Sequence, residues 1–470
     1  MRSAMIMKRA LGLLPAIALG ACSMAPRYVA PTPPVPASWP AGDAYLAQSE
    51  KGLPLVSYKE IFRDPRLQAL IGQALQNNRD LRVAAANVAA ARARITVTRA
   101  SQFPALDVQG AATHSETGGQ VTGDGWSYSA QGGISSFELD LFGKLQNATE
   151  AQRNTALSTE ASARTVRLGL VASLALAWAG YAADKDLLAI ARSTVANAEN
   201  SVRLTGARLK GGIAPRADLS RAQQVLETAR GDAATQTAAL ARDINAIRLL
   251  VGADFDRSLL PSGIAEVSKG LAVLPAGTSS EVLLRRPDVV SAEYALRSAN
   301  ADIGVARAEL FPSISLTGLL GFASDALSSL FDHGSFASTA RGTASWSIFN
   351  AGGKAANVQV AKARRDAALA TYEKAIQTAF REVSDALADQ GTLAERLRAA
   401  SANTAAAQDT ARLTEATYKQ GIASSLDTLV AQRSLYTARR AEIAVRLQAA
   451  TNRITLYRVL GGDQGTAPQE

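Results

Sequence analysis

The side chains that most often perform catalysis or bind metals are scarce in this sequence. It contains two histidines, His114 and His333, and a single cysteine, Cys22. Both histidines fall in segments with the composition of strands or loops, and no cluster of carboxylates or glycine-rich phosphate loop stands out. Acid–base and nucleophilic catalysis need such groups held close together. We therefore predict no catalytic residues, no metal site, no cofactor and no enzyme activity.

The cysteine lies where its sulfur could be modified covalently. Residues 1–21 have a basic start and an apolar run from Ala10 to Leu19, which is typical of a bacterial export signal. The run ends in Leu19-Gly20-Ala21-Cys22, which resembles the lipobox of bacterial lipoproteins. This resemblance implies cleavage before Cys22 and acylation of its sulfur with a lipid such as palmitate. A signal peptide followed by an accidental cysteine is the alternative.

Residues 22–60 are predicted to be the lipidated N-terminus and a tether. Six prolines between positions 26 and 40 favour an extended, semi-rigid chain. Ser23, a non-acidic residue after the cysteine, implies by the same resemblance sorting to the outer membrane, where the lipid would insert. The formal net charge of +9 includes three charges in the predicted signal peptide, so about +6 remains. No basic run is interleaved with aromatic residues, and we predict no nucleic-acid partner.

Short motifs recur at a nearly constant distance along the chain. Phe103-Pro104 recurs as Phe311-Pro312 after 208 residues, and Gly212-Ile213-Ala214 recurs as Gly421-Ile422-Ala423 after 209. A constant spacing of this kind is the signature of an internal repeat. We predict two repeats of about 208 residues, at 61–252 and 281–461, joined by a linker at 253–280 and followed by a tail at 462–470.

Each repeat is predicted to contain helix, two strands, long helix, turn and shorter helix. The first helices cover about 65–102 and 287–309, and each ends before a Phe-Pro pair. About 65 residues without proline follow Gly143 and Gly353, which corresponds to helices roughly 100 Å long. Helices return over 215–251 and 424–460 with apolar residues spaced by threes and fours, as in a coiled coil.

Four segments alternate apolar with small or polar residues, at about 103–114, 126–140, 311–323 and 337–349. Segments of about 10 residues with this period can form a transmembrane barrel wall, with lipid outside and water inside. A soluble two-sheet sandwich is the alternative. We predict that Trp126 and Trp346 belong to an aromatic girdle at the membrane interface, although two tryptophans could equally lie in a core.

The predicted strands determine how the chain can cross a membrane. No stretch after residue 22 approaches the roughly 20 continuous apolar residues of a membrane-spanning helix. Lipid cannot satisfy an open sheet edge, and known barrels have at least about eight strands. Four strands per chain therefore cannot span a membrane alone, and the chain must oligomerise. The predicted fold is an α+β membrane protein, mostly of long helices packed as coiled coils.

Together these features resemble the TolC-like outer-membrane efflux proteins, specifically their lipidated branch of OprM or NodT type. The resemblance covers essentially the whole chain after Cys22, and its most specific stretch runs from Leu284-Arg285-Arg286-Pro287-Asp288 to Phe311-Pro312-Ser313-Ile314. It implies a homotrimer with a 12-stranded β-barrel and a periplasmic α-barrel. It also implies a periplasmic adaptor, an inner-membrane pump, commonly of the resistance-nodulation-division (RND) class, and passive export of drugs or other toxic small molecules.

In this family the periplasmic ends of the long helices close like an iris, and the corresponding turns here are 208–218 and 418–427. The resemblance makes Asp218, Asp427 and Tyr418 the predicted gate residues. Threefold symmetry would turn each aspartate into a ring of carboxylates that favours cations, and Tyr418 matches a tyrosine that latches neighbouring helices. An acid in the first turn of a helix is also favoured by the helix dipole alone.

Two positions depart from the family pattern. Ala423 stands where the family has a basic latch residue, and Val430 replaces an acid that forms a second ring in some members. We therefore expect the closing contacts of this chain to differ from those of its relatives.

The residues around the two turns are the predicted contacts with the adaptor: Lys210, Gly211, Gly212, Lys419 and Gly421. Glycine permits tight turns and close approach of a partner, although a glycine that ends a helix needs no further explanation. Two other functions stay open, namely the outlet of a type I secretion system and a lipid-anchored coiled-coil scaffold without a pore.

Overall fold

The structure is a computed structural model, which describes residues 23–40, 42, 44–45, 57–116, 125–272 and 280–462. The predicted signal peptide, Cys22 and most of the connection at 115–125 lie outside these residues. The helices and strands are α1 (Tyr58–Ile61), α2 (Pro65–Asn77), α3 (Arg79–Ala100), β1 (Asp107–Ser115), β2 (Gly125–Leu139), α4 (Lys144–Lys210), α5 (Arg216–Val251), α6 (Ile264–Gly270), α7 (Pro287–Ala308), β3 (Ser313–Ser324), β4 (Phe336–Ser345), α8 (Gly353–Lys419) and α9 (Ser425–Val459).

The element order confirms the predicted fold class, in which the series of helix, two strands, long helix and shorter helix occurs twice. The long helices α4 and α8 have 67 residues each, which corresponds to about 100 Å. One 18-residue window in α4, with a mean hydropathy of 1.5, is apolar enough to cross a membrane by composition. More than half of that window, 56%, is buried inside the protein, as in the core helix of a soluble protein.

The first helix of repeat 1 is interrupted, whereas the sequence predicted a continuous helix over 65–102. Asn78 separates α2 from α3, and its side chain accepts hydrogen bonds from the backbone N–H groups of Asp80 (2.9 Å) and Leu81 (3.2 Å). Its amide also donates to the carbonyl of Leu250 at 2.9 Å. Asn78 therefore caps α3 and joins it to the end of α5, which explains why a polar residue is buried there.

The four strands form one antiparallel sheet in the order β1-β2-β3-β4. The strand register brings the large apolar side chains onto one face, because Val108 lies opposite Gly132, Gly132 opposite Leu320, and Leu320 opposite Ser338. The opposite face carries mainly small and polar residues such as Gln131, with Leu319 as a large apolar exception. The other large apolar or aromatic residues of the first face are Trp126, Tyr128, Ile134, Phe137, Leu139, Ile314, Leu316, Phe322 and Phe336.

Two local features of the sheet differ from the predicted pattern. A β-bulge between Ile134 and Phe137 shifts the register, so the apolar face continues at odd-numbered positions in the last part of β2. The fourth strand ends at Ser345 rather than 349. Trp346 consequently follows the strand, and its indole N–H donates to the carbonyl of Leu310 at 3.1 Å.

Contacts between Cα atoms divide the described residues into two units. The first comprises residues 23–32, 86–160 and 291–373, without 117–124, and contains the sheet. The second comprises the remaining described residues, and its core includes Leu70, Trp178, Ile247, Ile264 and Tyr457, all nearly inaccessible to solvent. The indole N–H of Trp178 donates to the carbonyl of Leu259 at 3.0 Å, so the polar atom of this large side chain is satisfied.

The predicted linker takes part in this second core. Its described part contains a short 3₁₀ helix, Arg257–Leu259, followed by α6. Ile264 and Val267 of α6 are each 1% exposed. A connector between independent repeats would leave such side chains in water, so residues 253–272 are part of the fold rather than a simple linker.

Candidate functional site

The two helical turns are alike in backbone geometry. We call α4 and α5 hairpin 1, and α8 and α9 hairpin 2. Gly212 and Gly421 have φ angles of 75° and 81°. In each turn the following isoleucine donates its N–H back to the helix, from Ile213 to Arg208 and from Ile422 to Thr417, both at 3.0 Å. Left-handed backbone of this kind favours glycine, which explains the repeated Gly-Ile-Ala sequence.

Asp427 lies in the first turn of α9 and takes part in a capping box. The hydroxyl of Ser424 accepts a hydrogen bond from the backbone N–H of Asp427 at 3.1 Å, and the carboxylate of Asp427 accepts one from the backbone N–H of Ser424 at 3.1 Å. Hydrogen bonds from the side chain and backbone of Ser424 lower the pKa of Asp427. Asp427 is thus an exposed, ionised carboxylate held by its own helix.

Asp218 occupies the equivalent position in α5 but has a different set of partners. The hydroxyl of Ser425 donates to Asp218 Oδ2 at 2.7 Å, and Arg221 Nη1 lies 3.2 Å from Oδ1. The side chain of Asp218 is 19% exposed. Asp218 therefore joins hairpin 1 to hairpin 2, and the two predicted gate aspartates are not interchangeable.

Tyr418 forms the second contact between the hairpins. The guanidinium carbon of Arg208, in α4, lies 4.2 Å from the centre of the Tyr418 ring. Arg208 Nη2 also donates to the Tyr418 carbonyl at 3.4 Å. A guanidinium over an aromatic face is attracted by the negative charge of the ring face. Tyr418, predicted as a latch, therefore has a cationic partner on the other repeat.

The remaining turn residues form an exposed surface. Ile213 and Ile422 are both 76% exposed, and Lys210, Gly211, Gly212 and Gly421 are also exposed. The ammonium of Lys419 lies 2.7 Å from Glu415, one helical turn before it. The turns thus present apolar side chains beside basic ones, and the adaptor contacts stay a prediction.

Trp126 and Trp346 lie on or beside the sheet with 53% and 56% of their surface exposed. Trp126 packs at 6.0 Å from Tyr128 and at 5.1 Å from His114, measured between ring centres. Neither tryptophan is in a core within this chain, although their place in an interfacial girdle stays a prediction. His114, the one histidine in a strand, is packed against a ring rather than beside a nucleophile.

The residues that follow the predicted lipidation site contact the folded body. The hydroxyl of Ser23 donates to the side-chain oxygen of Asn147 at 2.7 Å. The carbonyl of Met24 accepts from Arg307 at 3.1 Å, and that of Pro26 accepts from Asn300 at 2.7 Å. The start of the tether is therefore fixed on the first unit by one hydrogen bond between side chains and two to backbone carbonyls.

Sequence reasoning missed several of these residues. Arg208 and Ser425 had no assigned role. At the repeat spacing of 209 residues, the counterpart of Arg208 is Thr417 and that of Tyr418 is Leu209, so the repeat gave no signal for Arg208. In the described part of the chain, no group of three or more histidine, cysteine, aspartate or glutamate residues is arranged to hold a metal ion.

Comparison with known proteins connects these features to one family. The profile of the family described as "Outer membrane efflux protein" matches residues 70–253 and 278–462. The antibiotic efflux pump outer membrane protein ArpC of Pseudomonas putida is 40% identical over 95% of this chain and 94% of its own length.

Two solved structures have the same fold. A crystal structure of CusC is 37% identical, covers 94% of this chain and 100% of its own, and superposes with a TM-score of 0.83. The open state of the MtrE outer membrane channel of Neisseria gonorrhoeae is 32% identical, covers 96% and 100% of the two chains, and gives a TM-score of 0.82.

Proposed function

The chain belongs to the outer membrane efflux protein family, and we propose that it is the passive outer-membrane conduit of a tripartite efflux system, working as a homotrimer. Members of this family are channels rather than enzymes, and the chain is an efflux channel of the outer membrane with its helices in the periplasm. The proposal extends this identity to its oligomer, its gate, its partners and its cargo.

The observation that carries the proposal is the open sheet with one exposed apolar face. Val108 is 91% exposed, Leu320 61% and Phe336 63%, although apolar side chains of this size are normally buried. The outer strands β1 and β4 each leave one edge without a hydrogen-bonded neighbour in the described chain. Lipid covers such a face but cannot satisfy such edges. Three copies joined edge to edge give twelve strands and a closed wall.

The contacts between the hairpins support an iris-like gate at the turns. Asp218 with Ser425, and Arg208 with Tyr418, both join hairpin 1 to hairpin 2. A hydrogen bond to a charged group stabilises by about 1.5–3 kcal/mol and an exposed cation–π contact by about 0.5–1 kcal/mol. Together they are strong enough to hold the turns closed and weak enough for a docking partner to replace.

Asp427 is the residue that we propose forms the carboxylate ring. It is exposed and ionised, whereas Asp218 is engaged by Ser425. Three negative charges around a threefold axis repel one another when they are close and favour passage of cations. The ring would therefore oppose closure while the contacts between the hairpins favour it.

The exposed turn surface supports a periplasmic adaptor as the docking partner. Ile213, Ile422 and the nearby glycines offer an apolar surface and close backbone approach, and Lys210 and Lys419 add positive charge. We propose that the adaptor joins the channel to an inner-membrane pump of the RND class. We further propose that the cargo is small and toxic, such as a drug, because the relatives include antibiotic, toluene and cation efflux proteins.

We also propose that Cys22 carries the lipid anchor. The hydrogen bonds of Ser23, Met24 and Pro26 fix the chain immediately after this position. The acyl chains would then insert at a defined place beside the first unit, with no cofactor beyond this covalent lipid. Mass spectrometry of the purified protein would detect the acylated N-terminal peptide, and a Cys22→Ser variant would lack it.

Single-channel conductance of the purified protein in planar bilayers tests the channel and its gate. We expect low conductance from the unmodified protein and a severalfold rise in an Arg208→Ala/Asp218→Ala variant, since the loss of about 2–4 kcal/mol per chain shifts the gate toward opening. Arg221→Ala is the matched control, because it removes an exposed partner of Asp218 within hairpin 1 only.

The conductance of the double variant distinguishes a channel from a scaffold without a pore. Absence of conductance in the double variant would contradict a pore and favour the scaffold. Co-purification after crosslinking at Gly212→Cys distinguishes an RND pump from the ATP-driven transporter of a type I secretion system.

A further inference from the structure

A third contact joins the hairpins farther from the turns. The hydroxyl of Tyr436, in α9, donates to Asp232 Oδ2, in α5, at 2.7 Å. Asp232 lies 14 residues after Asp218 in the same helix, or about 21 Å along its axis. Tyr436 lies 11 residues after Ser425, or about 16 Å. Neither residue belongs to the motifs around the turns.

Tyr436 is held in the state that donates this bond. Burial, and then the hydrogen bond and negative charge of Asp232, raise the pKa of Tyr436 to about 12. The guanidinium of Arg440 lies 5.4 Å from the ring centre and opposes this shift. The phenol therefore stays protonated throughout the physiological range, and the contact does not depend on pH there.

The helices around this contact are not closely packed. A cavity of about 290 Å³ lies beside it, lined by α4, α5 and α9, with Ile190, Val225 and Arg439 among its walls. A smaller cavity of about 80 Å³ lies nearer the turns, where Thr205, Tyr418 and Thr428 contribute. Since apolar packing is interrupted at both levels, polar side-chain contacts contribute a large share of what holds the hairpins together here.

We propose that the Tyr436–Asp232 bond is a positioning contact that sets how far the hairpins separate when the gate opens. This inference rests on the proposed gate. When Asp218 and Arg208 release their partners, the hairpins can part from the turns up to the next contact that holds. That contact is Tyr436–Asp232, so the separating part of α5 ends about 14 residues beyond Asp218.

The Tyr436–Asp232 bond should have little effect on conductance while the contacts at the turns are intact and a larger effect once they are lost. Tyr436→Phe removes the hydroxyl and keeps the ring. Alone, it should change conductance less than about 2-fold, because the contacts at the turns still hold the gate. Added to Arg208→Ala/Asp218→Ala, it should raise conductance about 3-fold further, because the separation extends into the region of the large cavity.

Two further variants distinguish this role from a loss of stability. We call the Arg208→Ala/Asp218→Ala variant the released channel. Asp232→Asn retains a side-chain oxygen that can accept from Tyr436, so its addition should leave the conductance of the released channel nearly unchanged. Thr404→Val removes a hydrogen bond from Thr404 to the carbonyl of Ala438, which joins α8 to α9 within hairpin 2. It should leave conductance unchanged.

Spin-label distances measure the separation directly. A pair of labels at Ser220 and Val430 reports on the part between the turns and the contact. A pair at Thr237 and Ala441 reports on the part beyond the contact, farther from the turns. All four residues are exposed. Release of the turns should widen the first pair only, and Tyr436→Phe should then widen the second. This inference alone is overturned if both distances widen while Tyr436 is still present. It is also overturned if the released channel conducts and Tyr436→Phe changes neither its conductance nor the second distance. A released channel that does not conduct overturns the proposed gate and, with it, this inference.

Discussion

Replacement of Arg286 should loosen the end of α9 specifically. Arg286 precedes α7, and its side chain is 7% exposed. Its guanidinium lies 2.8 Å from Asp288 and 2.9 Å from Glu382 of α8, and it donates to the carbonyl of Val459 at 2.8 Å. One cation therefore joins the start of α7, the middle of α8 and the last turn of α9.

The free energy lost on replacement of Arg286 depends on the groups that lose their hydrogen-bond donor. Burial alone would raise the pKa of Asp288, yet the hydrogen bonds and charge of Arg286 lower it. Arg286→Met keeps the length of the side chain but leaves two carboxylates and a carbonyl without their donor. Removal of one partner from a buried ion pair costs about 3–5 kcal/mol. Asp288 and Glu382 remain 40% and 24% exposed, so we expect the lower limit, about 3 kcal/mol.

Hydrogen exchange of the peptide covering residues 450–462 measures this effect in the assembled protein. A loss of about 3 kcal/mol increases local opening about 100-fold, because 1.4 kcal/mol corresponds to tenfold. Arg458→Met is the control, since Arg458 is 42% exposed and lies 3.9 Å from Glu382, and it should change exchange by less than about 3-fold. Equal effects of the two variants would refute the role of Arg286 as the central cation.

Three further predictions concern the coiled coil, the sheet and the tether. Burial and then the charge of Asp184 raise the pKa of Asp243 to about 6. The folded chain therefore loses stability as pH rises from about 4 to 6, and Asp243→Asn should raise the free energy of unfolding at pH 7.5 by about 1 kcal/mol after solvent screening, as measured by denaturant unfolding. Leu320→Arg on the apolar face should cost about 2–4 kcal/mol and prevent membrane assembly, whereas Gln131→Arg on the polar face, opposite the uncharged Gln109 and Gly321, should assemble normally, as assayed by membrane fractionation and gel mobility. Asn300→Ala should expose the tether to limited proteolysis at least about 10-fold faster, and an unchanged rate would contradict its docking.

The features that the sequence predicted well are those set by local chemistry. Alternation with period two places Leu316 and Leu320 of β3 on one face whatever the neighbouring strand does, and proline-free stretches after Gly143 and Gly353 favour long helices. The interruption at Asn78 was missed because its cause is tertiary: a buried amide bonds to a carbonyl 172 residues away. The bulge after Ile134 was missed for the same reason, since register depends on the partner strand.

The residues of the proposed gate show that the same limit applies to single side chains. Sequence comparison with the family identified Tyr418 and the absence of a basic residue at Ala423, but it could not reveal where a replacement cation would come from. In the structure that cation is Arg208, on the other repeat. Position along the chain does not predict this pairing, because the two hairpins meet only after folding.

The position of this cation determines which contacts would hold the proposed gate closed. A latch residue at Ala423 would lie in the turn of hairpin 2, whereas Arg208 lies in hairpin 1 and reaches Tyr418 across the boundary between the repeats within one chain. Asp218 reaches Ser425 across the same boundary. Both contacts therefore lie within one chain and need no neighbouring copy. In the proposed gate, only the mutual repulsion of Asp427 requires three chains. Trimer assembly would therefore add the force that opens a gate which the contacts within each chain hold closed.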